Sequence, residues 1–173
     1  MLAPASGATA AARVLLAPCC SMGGPLTDAV QQTVETVWLT LLGITARRSS
    51  TPFAVLETEQ AWTGTVRISG AWQGEVRVHC SKELAHRAAA AMFAVERAAA
   101  NAAQAEDALR ELANVTGGNL MEVLPGPSTL SMPSVASGEV MPLVPGSLLL
   151  SRLYFDCQGE PLSVVVVRTP ATN

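Results

Sequence analysis

An α+β fold, in which long helices pack on a mostly antiparallel sheet of hairpins, follows from three patterns in the sequence. An apolar stripe at helical spacing follows Gly24-Pro25. A hairpin whose second arm alternates strictly occupies residues 65–80. Another pair of apolar runs brackets residues 157–161.

Taken in order, Pro25 suits the first position of a helix, where its missing N–H costs nothing. Asp28 stands in the first turn, where the helix dipole favours a carboxylate. Leu26, Val30, Val34, Val37 and Leu41 predict the buried stripe, and Gly43 the stop. Residues 47–52 read as a loop that includes Arg47 and Arg48, and residues 53–57 as a short strand. Residues 65–68 and 75–80 form a hairpin through Gly70 and Gly74. Val76, Val78 and Cys80 would face the core and Glu75, Arg77 and His79 the solvent.

Ser81 can cap a second helix with Leu84, Ala88, Ala91 and Met92 on its apolar side. The alanine-rich residues 94–104 extend a neighbouring helix or connect two. A third helix is predicted from Ala105 to about Leu124, before Pro125-Gly126-Pro127. Gly117-Gly118 inside it costs about 1 kcal/mol per glycine, so a kink or a close approach is expected there. Residues 130–135 read as an edge strand containing Pro133. Residues 148–155 and 162–168 read as a hairpin, with the unbroken apolar run 164–167 covered on both faces.

Composition narrows the function classes. The chain has 173 residues, 49% hydrophobic and 14% charged, enough for one domain with a sizeable core. Its net charge of −3, with eleven Lys and Arg of which Lys82 is the one lysine, argues against nucleic acid as a partner. Cys19, Cys20, Cys80 and Cys157 lack zinc-ligand spacing and read as thiols in a reducing cytosol. His79 and His86 form no metal pair and read as surface residues. No apolar run approaches the ~20 residues that span a bilayer. Residues 1–23 read as an Ala/Pro/Gly-rich extension without fold, with Met22 an alternative start, and residues 24–173 as the single folded domain. Ser128 and Ser137 lack a nucleophile-elbow setting, and there is no phosphate-binding P-loop.

The segment that carries chemistry is residues 107–114. Asp107, Glu111 and Asn114 fall at i, i+4 and i+7, on one side of a helix. Leu109, Leu112, Ala113 and Thr116 take the other side and can bury the helix without burying the polar row. Glu111 and Asn114, three apart, have Cβ atoms about 5–6 Å from each other.

This pattern, an Asp or Ser followed after three residues by Glu and after two more by Asn, resembles the CheC, CheX and FliY phosphatases. Its continuation through Gly118-Asn119 into Leu130-Ser-Met-Pro133-Ser-Val135 is similar as well. Leu120, Met121 and Glu122 stand where relatives often carry a lysine. The equivalent spacing on the first helix gives Gln31, Glu35 and Trp38, so an indole replaces the asparagine of a second site, and the CheX type fits best. The resemblance implies a CheC-like fold and a cytoplasmic, homodimeric enzyme that hydrolyses the aspartyl phosphate of a CheY-like response regulator. Asn114 would orient the attacking water and Glu111 would dock to the regulator, with Asp107 supporting or docking. The chain itself would bind no cofactor, Mg2+ being supplied by the phosphorylated regulator. The alternative is a non-catalytic module of the same fold that binds a receiver or a flagellar-switch protein.

Overall fold

In the computed structural model, residues 24–58, 60–138 and 142–170 are described, except for the side chains of residues 55 and 57. The extension 1–23, with Cys19, Cys20 and Met22, lies outside them. Helix α1 (Pro25–Leu42) starts at Pro25 and ends at Gly43, whose left-handed backbone (φ 65°) lets its N–H reach the Leu39 carbonyl. Its buried stripe is Val30, Val34, Val37, Trp38 and Leu42. Leu41, expected inside, is 46% exposed, because the stripe drifts and Trp38 fills that part of the core.

Strand β1 (Arg47–Ser49) pairs with β6 (Leu148–Cys157), so Arg47 and Arg48 lie on an edge strand rather than in a loop. Three polar residues offer no alternation that could announce a strand. Residues 53–57 form no strand. Ala54–Glu57 is a 3-10 turn that buries Leu56 against the sheet, and Phe53 meets Tyr154 edge-on at 6.5 Å.

The expected hairpin is β2 (Ala61–Gly70) with β3 (Gly74–Ser81), and the C-terminal one is β6 with β7 (Glu160–Arg168). Among the described residues the sheet has seven strands, in the order β1-β6-β7-β3-β2-β4, and every pairing is antiparallel. β4 (Ser128–Leu130) and β5 (Ser134–Ser137) both pair with β2, so the single strand expected over 130–135 is interrupted at residues 131–133.

Helices α1, α2 (Lys82–Met92) and α3 (Ala102–Met121) lie on one face of the sheet, with α3 packed against both other helices. Ser81 caps α2 by accepting the Leu84 N–H at 3.0 Å. The buried positions of α2 are Leu84, Ala85, Ala88 and Ala89, whereas Ala91 is exposed and Met92 half-buried. A run of alanines looks alike on every side, so its inward face cannot be read from residue type. Residues 94–101 are a connection with one 3-10 turn, Arg97–Ala99. α3 starts three residues earlier than expected, at a reciprocal capping box between Asn101 and Gln104.

The far face of β3 is not solvated. Glu75, Arg77 and His79 are each 4% exposed. Arg77 donates through Nε to Glu75 at 2.9 Å and through Nη2 to the Pro142 carbonyl. His79 Nδ1 lies 2.9 Å from Thr63 Oγ1. Strict alternation correctly separates the two faces, but the second face is roofed by the connecting segments, and its charges are paired rather than wet. Val164, Val165, Val166 and Val167 are buried on both faces as expected.

Candidate functional site

Helix α3 approaches the sheet through small residues. A Cβ at Gly64 of β2 would sit 2.9 Å from the Leu109 carbonyl and 3.1 Å from Ala113 Cβ. The buried face is Ala105, Ala108, Leu109, Leu112, Ala113, Thr116, Gly117 and Leu120, as the sequence pattern required. The polar row is left outward: Asp107 and Glu111 are exposed and Asn114 is half-buried.

Facing this row are residues 130–133, between β4 and β5. The two walls bound an open groove of about 480 Å³, lined by Asp107, Arg110, Glu111 and Asn114 from α3 and by Leu130, Ser131, Met132 and Pro133 opposite. Both walls rest on the same strand. β4 and β5 are hydrogen-bonded to β2, and α3 lies across β2 at Gly64 and Val66. The three residues expected to act together are therefore brought to one groove.

They are not equivalent within it. Arg110, which the sequence pattern did not single out, pairs with Asp107 and lies 4.0 Å from Glu106. Its signal was a pair of opposite charges at i−3 and i−4 on an exposed helix. Among the described residues, Glu111 and Asn114 have no side-chain hydrogen-bond partner. An unengaged carboxylate beside an unengaged amide can accept from a cation and hold a water, respectively.

The corresponding trio on α1 cannot work in this way. Gln31 donates to Glu35 at 2.9 Å and accepts from Arg48 at 2.9 Å, while Trp38 is fully buried. All three tryptophans are core residues, Trp62 and Trp72 being 7% and 5% exposed. A larger cavity, about 890 Å³, lies at the start of α2 around Lys82, Glu83, His86 and Arg97. Within it Arg97 pairs with Glu83, and Ser81 donates to Glu160 at 2.6 Å.

The histidines are not the surface residues expected. Burial, reinforced by Arg77 and Arg152, lowers the His79 pKa to about 3. His86 is half-buried, with Nδ1 3.0 Å from the Ala100 carbonyl and its ring against Trp62. Cys80 and Cys157 are buried free thiols. Burial pushes both pKa values up, that of Cys157 to about 12, so neither is a reactive thiolate. Among the described residues no cluster of three His, Cys, Asp or Glu could hold a metal, and no helix is long and apolar enough to cross a membrane.

This antiparallel sheet with helices on one face is shared with solved structures of chemotaxis proteins. The chemotaxis protein CheX from Vibrio vulnificus has a TM-score of 0.67 at 16% identity, covering 83% of this chain and 95% of that one. CheX from Desulfovibrio desulfuricans gives 0.65 at 17% identity over 83% of this chain and 99% of that one. The match to the CheX–CheY–BeF3–Mg2+ complex from Borrelia burgdorferi gives 0.61 at 14% identity over 82% and 97%. Residues 62–147, which include the whole groove, match the family described as chemotaxis phosphatase CheX. Over residues 62–147 the chain thus matches the CheX family, and its fold is that of the CheC-like proteins. No curated protein sequence matches it.

Proposed function

We propose that this chain is a phosphatase that hydrolyses the aspartyl phosphate of a CheY-like receiver domain, using Asn114 to orient the water and Glu111 to dock. The observation that carries the reading is the exposed Glu111 beside the half-buried Asn114, both facing one groove and neither engaged within the described chain. The similar CheX chain that was solved with CheY, beryllofluoride and Mg2+ supports a receiver as the partner.

Acyl-phosphate hydrolysis needs a water held in line behind phosphorus and charge stabilisation on the equatorial oxygens. The Asn114 side chain accepts from that water and donates to a phosphoryl oxygen, positioning it without acting as a strong base. The water oxygen bonds to phosphorus as the bond to the aspartyl oxygen breaks. The aspartate leaves as a carboxylate, and the water's proton passes to the released phosphate. Glu111 pairs with a lysine on the receiver and sets the register of insertion. Mg2+ belongs to the receiver, along with the phosphorylated aspartate. Asp107, held by Arg110, supports the helix surface rather than the reaction. The working chain is a cytoplasmic homodimer on this reading, and a monomeric mass by light scattering at working concentration would remove the dimer.

The test is the decay rate of a phosphorylated receiver alone, with wild type, and with Glu111→Ala or Asn114→Ala. Acceleration by wild type that either substitution abolishes is the expected result. Decay that no variant changes, with binding retained, would favour the non-catalytic receiver-binding module.

A further inference from the structure

Where β4 passes into β5, the register against β2 shifts by one. Leu130 pairs with Ile68 and Ser134 with Thr65, so Ser131, Met132 and Pro133 oppose only Val66 and Arg67. This is a β-bulge on an edge of the sheet. Ser131 compensates for it by accepting the Arg67 N–H through Oγ at 3.1 Å and donating its own N–H to the Arg67 carbonyl at 2.9 Å. With Arg67 satisfied by one residue, the next is extruded. Met132 is 88% exposed, the most exposed large hydrophobic side chain among the described residues, and it lines the groove that holds Glu111 and Asn114.

Bulges beside functional sites re-aim a side chain, and an exposed methionine is a flexible apolar surface that adapts to a partner. The groove is thus two-sided: a polar wall from α3, and an apolar one formed by Leu130, Met132 and Pro133. We propose that Met132 is a specificity-determining residue that packs on an apolar patch flanking the phosphoacceptor pocket of the receiver. This rests on the reading of the groove as a receiver site. The occupant is argued from continuity, since Met132 and the Glu111–Asn114 pair border one opening, and a body seated on the pair must cover Met132. Such a contact governs affinity rather than the chemical step.

The experiment compares wild type, Met132→Ala and Met132→Leu for affinity to a CheY-like receiver held as its beryllofluoride–Mg2+ adduct, and for KM and kcat in dephosphorylation. The expected result for Met132→Ala is affinity weakened and KM raised about tenfold, the size of a modest hot-spot loss, with kcat within about twofold. Met132→Leu recovers most of the affinity. Unchanged affinity in Met132→Ala overturns the proposal while leaving the enzymatic reading intact. Normal binding without turnover overturns the enzymatic reading and leaves the role of Met132 to be judged on affinity alone. A wild type that does not bind the receiver overturns both. Loss of self-association with receiver affinity unchanged assigns Met132 to a contact between copies and overturns the proposal.

Discussion

A Cβ placed on Gly117 of α3 would lie 2.5 Å from Cγ1 of Val66 on β2, whereas one on the adjacent Gly118 would meet nothing closer than a Leu130 methyl at 3.8 Å. The two glycines therefore respond oppositely to the same substitution. Gly117→Ala forces a β-branched, fully buried neighbour to move, an overpacking cost of about 1–3 kcal/mol that exceeds the ~1 kcal/mol gained in helix propensity. Gly118→Ala collects that propensity without a clash and stabilises by up to ~1 kcal/mol. Urea unfolding of both variants checks the signs.

The acid limb of stability is expected to include His79. Its folded pKa of about 3 lies below the unfolded value near 6.5, so the unfolded chain binds the extra proton between them. The contribution is fully present above pH 6.5 and is lost as pH falls toward 3, with a slope approaching ~1.4 kcal/mol per pH unit. Between pH 6.5 and 5, where most carboxylates remain ionised, unfolding free energies of wild type should fall and those of His79→Gln should stay nearly flat. Equal slopes would remove His79 from the account.

Trp38 cannot be exchanged to restore a second site on α1. Its ring is fully buried, and its Nε1 has no hydrogen-bond partner among the described residues. Trp38→Asn is expected to cost about 3–5 kcal/mol, from the cavity and a stranded amide, with no gain in phosphatase rate. Trp38→Phe forfeits no hydrogen bond and costs less. Thermal denaturation alongside receiver dephosphorylation separates these outcomes.

Asp107 is exposed and paired with Arg110 on the helix surface. Asp107→Ala is therefore expected to change stability by less than about 0.5 kcal/mol and to leave the dephosphorylation rate within a few-fold of wild type. A loss as large as that of Asn114→Ala would place Asp107 in the reaction itself.

The placement of the candidate site was legible in the sequence because its information is local. Eight residues of one helix determine that Glu111 and Asn114 emerge together, opposite Leu109 and Leu112. The long elements were legible for the same reason, from Val30, Val34 and Val37 in α1 to the alternation of β3. What escaped depends on residues far apart in the chain. Strand status for residues 47–49 comes from a partner about a hundred residues away. The cover over Glu75, Arg77 and His79 comes from connecting segments with no pattern of their own. The extruded Met132 follows from a one-residue register slip against β2, which no periodicity within the segment encodes.

The ten residues of β2 serve as a common foundation for the two lips of the cleft, one by ladder hydrogen bonds and the other by close-packed glycine contacts. Moving either lip would disturb the contacts that it makes with this strand. On the receiver reading, an incoming partner meets a backbone already set by this strand, and association is expected to cost less ordering entropy than on a recognition surface built from free loops. On that reading, complex formation is expected to be limited by encounter and orientation rather than by a slow rearrangement of this chain.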